Sequence, residues 1–512
     1  MAFMSDVYLI EIHYYMKIHL IAIGGAVMHN LALALKQNEN IVTGSDDEIY
    51  EPAHSRLKAA GLLPDTEGWS TDRITPDLDI VILGMHARKD NPELLKAQEL
   101  GLNIQSFPEF IYNHAKDKNR VVVAGSHGKT TTTSMIMHVL RHAERDFDYL
   151  VGALLEGFKT MVRLSDAPIM VIEGDEYLSS ALDPVPKILH YKPHVAIITG
   201  VAWDHMNVFP TYENYVEQFE KFIKTLERGV NIAPPPTPEG SQPISEESQL
   251  ISEGSQPIPN VEIATSGVEQ SVLFYYEKDK DLEKIAQVEG LKSMGYDAFD
   301  AEIKRGKTFL ITEGGKQVPL EIFGEHNLAN LKAAYLACKE LDITDAEFFA
   351  AIPTFKGAAK RLQTLAQGRT SVAYQDFAHA PSKVKATIHA VKGQFPKRHL
   401  VACLELHTFS SLSKTFLPQY RSTMNLADEA IVFFNEHTLE MKKLPPLKMG
   451  EIKACFGHPN LRVFTTQERL KDHLQDQEFK NQNVLFMSSG TFMGLDLKEF
   501  AADLLGVVEV ES

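Results

Sequence analysis

Cysteine is scarce in this chain: Cys338, Cys403 and Cys455 are widely spaced and form no C-x-x-C pair. That excludes a disulfide framework and leaves reduced, buried thiols of a cytoplasmic protein as the expectation. Long hydrophobic runs are also missing. No stretch approaches the roughly 20 apolar residues that a bilayer crossing needs, so no membrane span is expected. The leading segment MAFMSDVYLIEIHYYMK opens acidic rather than basic and offers no small-residue cleavage site, so it does not read as a secretion signal. An excess of positive charge is lacking too. The formal net charge is −17, which argues against a nucleic-acid partner, because binding a phosphate backbone requires a basic face. Anionic small substrates stay open, since a local cluster of Lys, Arg and a divalent cation can oppose the overall sign. What remains is ordinary globular material: 44% hydrophobic and 23% charged residues, enough to build packed cores. The 512 residues correspond to about three domains of usual size.

Residues 121–134 read VVVAGSHGKTTTTS. An apolar, β-branched run feeds a glycine-bounded loop, a lysine and a run of hydroxyls, which is a phosphate-binding loop between a buried strand and a helix. Gly125 and Gly128 let the backbone wrap a triphosphate with its N–H groups turned inward. Lys129 brings a point charge to the outer phosphates, Thr130 a hydroxyl for Mg²⁺, and the next helix its positive end. The plainer alternative, a glycine turn followed by a chance Lys-Thr, does not explain strand, loop and helix together. A nucleoside triphosphate ligand is therefore predicted.

On either side of this loop the pattern is α/β. Residues 17–23 form a strand that meets Gly24-Gly25 and a helical pattern to Leu35. A second strand runs into Ser45-Asp46, a third covers 79–83, and a short fourth covers 103–106. This βαβ series predicts a small parallel sheet coated by helices, followed by a polar separating segment at 114–120. Strands at 121–124, 169–173 and 195–199 repeat the pattern as central parallel strands. Residues 231–260, NIAPPPTPEGSQPISEESQLISEGSQPIPN, cannot bury enough apolar surface to order themselves and predict a mobile surface insertion. A third α/β region has strands at 371–376, 399–404, 429–434 and 483–487. Three domains follow: a Rossmann-like one at 17–116, a central ATPase-type one at 117–354, and a Rossmann-like C-terminal one at 355–512.

Glu173, in IEGDEY, ends a parallel strand, where open α/β sheets bind ligands; it is placed to hold Mg²⁺. TGVAWDHMN repeats the arrangement after the next strand, so that His205 beside Asp204 is either a cation ligand or an ordinary loop histidine. In GEHNLAN, Asn327 and Asn330 pair with an adenine edge or cap a helix. Arg361 can clamp a γ-phosphate and Asp376 can accept from a ribose hydroxyl; a surface ion pair or a cap is the alternative for each.

Taken in order, GSHGKTTT, EGDEY, the DH after a strand, GEHNLAN, the Arg361 segment and DFAHAP resemble the Mur ligase family, the ATP-dependent amide-forming enzymes of peptidoglycan assembly, over nearly the whole chain from Lys17. The resemblance implies ATP at Gly125, Ser126, His127, Gly128, Lys129, Thr130, Thr131, His326, Asn327, Asn330, Arg361, Asp376 and His379. It implies Mg²⁺ at Thr130, Glu173 and His205, and a uridine nucleotide at Gly24, Gly25, Ser45, Asp46 and His86. Lys129, Glu173, His205 and Arg361 are the implied catalytic group. Within the family, the amino-terminal half is similar to members that use UDP-N-acetylmuramate as the carboxylate acceptor. The stretches around Ser45, 177–193 and YQDFAHAPSKVKATIHAVK favour L-Ala-γ-D-Glu-meso-diaminopimelate as the incoming amine over L-alanine. A P-loop switch or scaffold without ligation is the competing class.

Three departures from the family pattern stand out. Ala22 and His29 occupy positions where relatives carry glycine. The helical stretch 212–220 lacks the lysine that many relatives carbamylate, with Glu217 or Gln218 as candidate replacements beside Mg²⁺. Glu405-Leu406-His407-Thr408 and Ser488-Ser489-Gly490-Thr491-Phe492 differ where the amine is recognised.

Overall fold

The computed structural model describes residues 15–203, 208–226, 271–358 and 360–507. His205 and the 231–260 insertion lie outside the described residues. The described residues build three sheets rich in parallel strands, in chain order, plus one small antiparallel sheet. The first has the spatial order Ile41–Ser45, Lys17–Ile21, Ile80–Leu83, Ile104–Ser106, all parallel. Its four strands are those that hydropathy alternation indicates. Lys17–Ile21 ends two residues early because Ala22 turns out of the ladder at φ 68°. For an L-residue that left-handed conformation costs about 1 kcal/mol or more, which explains why glycine is the usual occupant.

The second sheet is larger than the three strands read from the sequence. It runs Lys292–Tyr296, Val272–Tyr276, Val195–Ile198, Asn119–Ala124, Ile169–Glu173, Phe147–Leu150 and Val162–Arg163, with only the last strand antiparallel. Val121, Val122, Val123 and Ala124 are fully enclosed at its centre. Burying each valine there is worth roughly 1.5–3 kcal/mol. The helix Lys129–His142 leaves this central strand and packs under Glu325–Lys339 through Met135, Val139, Leu331 and Ala334. A three-stranded antiparallel sheet, Ala301–Lys304, Lys307–Ile311 and Gln317–Leu320, covers one end.

The third sheet orders Gln363–Gln367, Val372–Asp376, Gln482–Met487, His399–Glu405, Glu429–Phe433 and Leu461–Phe464. Its first strand is antiparallel and the rest are parallel.

The polar stretch at 114–120 is not a free connector. The helix Phe107–Ala115 ends on Arg120, whose side chain is 1% exposed. Its guanidinium donates to the carbonyls of Ala115, Lys116 and Lys118 and, through Nε, to those of Tyr191 and Lys192 at 2.7–3.1 Å. A buried cation is tolerated here because five carbonyl dipoles, all of them in loops or at helix ends, surround it. Among the described residues no helix is long and apolar enough to cross a membrane.

Candidate active site

The carboxyl edges of the second and third sheets face one another across a cleft of about 540 Å³, a size suited to a nucleotide. Strand Asn119–Ala124 sits between Ile169–Glu173 and Val195–Ile198. The loop that follows it therefore opens at the point where the chain moves to either side, the usual ligand position in such sheets.

Gly125 has φ 120° and Gly128 φ 76°. A Cβ on the first would collide with Thr199, and one on the second with the Asn330 side chain. Both glycines are thus needed for conformation and for space. Gly128 caps the helix Lys129–His142, so the first N–H groups of that helix point into the cleft.

Lys129 Nζ donates to Gly125 O at 2.6 Å and pairs with Glu176 Oε2 at 2.8 Å. Burial pulls the ammonium pKa down, but Glu176, with Asp175 and Glu173 behind it, more than offsets this and leaves it raised. Lys129 is therefore held charged at neutral pH. Thr130 Oγ1 donates to Glu173 Oε1 at 2.8 Å, while Glu173 Oε2 accepts from Gly152 N at 2.7 Å. Ser126 Oγ bonds Tyr215 at 2.8 Å and accepts from Ala202 N at the same distance. Thr131 is buried in the first turn.

Two regions close the cleft. His326, Asn327 and Asn330 approach on Glu325–Lys339; Arg361, Asp376, Phe377, His379 and Lys383 approach from the third sheet. His326 is held below the usual imidazole range by burial, against the opposing pull of Asp376 and Glu325. Asn327 Nδ2 donates to Phe323 O at 2.9 Å, so it fastens its own helix start while lining the cleft. The Arg361 guanidinium lies 4.6 Å over the Phe377 ring, an attraction that holds it beside the cleft both residues line. Asp376 accepts from Leu362 N and Ala378 N, both at 2.7 Å, so it also fastens the loops that carry Arg361 and His379. His379 bonds Phe377 O at 2.8 Å. His127 Nε2 lies 2.5 Å from Ser382 Oγ, a direct contact between the phosphate loop and the third region.

The first sheet presents a separate loop cluster. Gly24 N donates to Asp46 Oδ2 at 2.8 Å, Gly25 opens the helix Ala26–Gln37, and His86 is exposed beyond the third strand. Ser45 does not belong to this surface. It is fully buried, and its hydroxyl donates to Glu93 Oε1 at 2.7 Å in a cluster with His19 and Arg73. The strand alternation that turns Asp46 toward the loop turns Ser45 inward. His29 is buried as well. Its Nδ1 bonds Gly25 O, and its other nitrogen faces Asn30 and Arg56, which reaches on to Lys159 O at 2.9 Å. A side chain in place of glycine here ties the first glycine loop to the second region.

Neither proposed substitute for the absent lysine reaches the cleft. Glu217 is half exposed and pairs with Lys221 at 3.1 Å, and the Gln218 amide donates to Asn214 O at 2.8 Å. Tyr215, on the same helix, is the residue that reaches the phosphate loop. Sequence reading also passed over Glu176, Lys383 and the pair Tyr276 and Tyr296, whose rings lie 6.0 Å apart at the cleft wall. Only the acidic cluster containing Glu176 gave a signal.

Burial, then the hydrogen bond with Asp47, pushes the Asp46 carboxyl up to about 6, against the Gly24 and Asp47 N–H groups. A raised carboxyl binds its proton more tightly folded than unfolded. Its contribution to stability is then present below pH 4 and lost as pH rises to 6. Asp46→Asn is expected to melt like the parent at pH 4 and to be more stable at pH 7 by about 2 kcal/mol. Thermal melts of both proteins at the two pH values check this.

Comparison with known proteins agrees with this architecture. Residues 123–338 match the Mur ligase middle domain, and residues 17–119 match the domain described as Mur ligase family, catalytic domain. A UDP-N-acetylmuramate–L-alanine ligase of Caldicellulosiruptor saccharolyticus is 31% identical, with 81% of this chain and 83% of that protein covered. The UDP-N-acetylmuramate–L-alanyl-γ-D-glutamyl-meso-2,6-diaminoheptandioate ligase of Escherichia coli is 25% identical over 94% of this chain and 97% of its own. The crystal structure of a murein peptide ligase from Psychrobacter arcticus superposes with a TM-score of 0.60 at 20% identity, covering 97% of this chain and all of that one. The order of sheets, the phosphate loop and these matches agree, and the chain belongs to the Mur ligase family of ATP-dependent ligases.

Proposed function

We propose that this protein joins the carboxylate of UDP-N-acetylmuramate to the amine of L-Ala-γ-D-Glu-meso-diaminopimelate at the expense of ATP. The observation that carries the ATP part is the single cleft into which Lys129, Glu173, Arg361 and Asp376 all project from two different sheets. The acceptor carboxylate attacks the γ-phosphate, giving an acyl phosphate and ADP. The amine then adds to the acyl carbon, and the tetrahedral intermediate expels phosphate.

The first step brings two anions together, so the site must neutralise charge. Lys129 and Arg361 supply fixed positive charge, and the loop N–H groups orient the phosphates. The adjoining hydroxyl of Thr130 and carboxylate of Glu173 are oxygen donors of the kind a hard cation takes. These two would hold Mg²⁺, whose chemistry is to spread phosphate charge; His205 would join them. Gly24, Gly25, Asp46 and His86 would receive the uridine nucleotide, with Ser45 supporting that loop from inside. Asn327, Asn330 and His326 are at hand for the base, and Asp376 and His379 for the ribose.

The tripeptide reading is supported by the resemblance of the stretches around Ser45, 177–193 and 374–392, while whole-length likeness is shared by ligases for either amine. L-alanine as the amine is the second reading, favoured by the 31% identity to the Caldicellulosiruptor saccharolyticus enzyme. A coupled ADP assay with UDP-N-acetylmuramate, comparing the tripeptide with L-alanine, decides between them. Turnover with the tripeptide is expected, and turnover with L-alanine alone would overturn the preferred amine.

A further inference from the structure

We propose that Glu176 is a positioning residue for the phosphoryl-transfer step, aiming the Lys129 ammonium through a Glu176–Tyr215–Ser126 chain that also fixes the phosphate loop. The inference rests on the reading of Lys129 as the group that meets the transferring phosphate.

Glu176 is 1% exposed, so its carboxylate is well enclosed. A carboxylate in that position is costly unless each oxygen is satisfied. Oε2 faces Lys129 Nζ at 2.8 Å, and Oε1 accepts from Tyr215 OH at 3.0 Å. The Tyr215 hydroxyl lies 2.8 Å from Ser126 Oγ, which accepts from Ala202 N. The chain therefore spans the loop lysine, a loop serine, the helix Tyr212–Lys224 and the segment after strand Val195–Ile198.

The geometry of the ammonium makes this more than a counter-ion. Lysine has three N–H donors on a flexible stem. Gly125 O takes one at 2.6 Å and Glu176 takes another. With two directions fixed by groups on different elements, the third N–H has a defined heading, toward the cleft that Lys129 lines. Glu173 serves a different partner, Thr130, so two of the three acids of the IEGDEY turn divide the work. Glu173 faces the hydroxyl, and Glu176 orients the lysine. Ground-state nucleotide binding depends mainly on the loop amides. Orientation of the ammonium matters most when charge shifts toward the leaving oxygen, so the effect belongs in kcat rather than in KM.

The test uses the full chain with saturating UDP-N-acetylmuramate and amine, with the active fraction of each preparation set by stoichiometric ADP binding. Glu176→Gln keeps the side-chain size and removes the charge. It is expected to lower kcat by about 30-fold, less than the roughly 10²–10³-fold for loss of a group that itself faces the developing charge, because Glu176 acts through Lys129, with KM for ATP and the Kd for ADP changed less than about threefold. Tyr215→Phe keeps the ring packing and removes the hydroxyl, and is expected to lower kcat by about fivefold with the same unchanged KM. A Gln variant with kcat within twofold of the parent would overturn the assignment. So would a kcat loss matched by an equal loss of ADP affinity, because that is the mark of a merely structural group. A parent protein that makes no ADP with both co-substrates would remove the ligase reading itself.

Discussion

Lys129→Met is expected to lower kcat for ligation by at least about 10³-fold, the scale seen when a preorganised group facing developing charge is removed. The side chain is the loop's own cation, sits between Gly125 O and Glu176, and is held charged by the acids around it. Methionine fills a similar volume and offers no donor. A second consequence follows from burial. With Lys129 gone, Glu176 retains the Tyr215 hydroxyl but loses the Lys129 ammonium. Breaking a buried pair by removing one partner costs about 3–5 kcal/mol. The Lys129→Met variant should therefore melt earlier as well as turn over slowly. Adding Glu176→Gln removes the buried carboxylate that Lys129 had offset. The double variant should regain most of the lost stability and none of the lost activity. Steady-state ADP formation and thermal melts of the parent, the single variant and the double variant separate the two effects.

Gly128→Ala should have the next largest effect, on nucleotide affinity. Its φ of 76° is left-handed, and a Cβ there would enter the side-chain amide of Asn330. The backbone conformation costs an L-residue about 1–2 kcal/mol, and forcing a neighbour aside costs about 1–3 kcal/mol more. Together, about 3 kcal/mol corresponds to a roughly 100-fold weaker Kd for ADP. Asn330 is on Glu325–Lys339, so the strain falls on the contact between loop and helix that shapes the cleft. The variant should still fold, because its hydrophobic contacts are unchanged. Calorimetric titration with ADP gives the affinity, and circular dichroism confirms the fold.

Much of the architecture was legible because its strongest signals are local. The phosphate loop is a contiguous word, and strand Asn119–Ala124 before it carries the fully buried β-branched run Val121, Val122 and Val123. The strands of the first sheet alternate or run apolar as enclosed strands must. Strands at sheet edges gave less. Gln363–Gln367 is mostly polar and exposed, and Leu461–Phe464 is short. Val272–Tyr276 and Lys292–Tyr296 follow a long polar insertion that hides the rhythm of the second sheet.

The site divides in the same way. Thr130 and Glu173 could be paired from sequence because both end or follow strands at one sheet edge. Tyr215 could not, because it comes from a helix 89 residues beyond Ser126, and nothing in its neighbours distinguishes it from a core tyrosine. The direction of Ser45 is not legible in the sequence for a related reason. The residue adjoins a loop that faces the ligand side, but strand alternation decides its direction, and that direction is inward toward Glu93. Residues 212–220, in the helix after the DH segment, hold no lysine, and Glu217 and Gln218 are the polar side chains that the sequence offers in its place. Their positions on the helix turn them toward Lys221 and Asn214 instead.

The central claim is that one cleft couples ATP cleavage to activation of a carboxylate on a second substrate. The most direct measurement is the rate of ADP release by the full chain with ATP and Mg²⁺, with UDP-N-acetylmuramate and the amine each present or omitted. The account predicts sustained ADP release only when both are present, with one amide formed for each ADP. Equal ATP hydrolysis in the absence of both would contradict it.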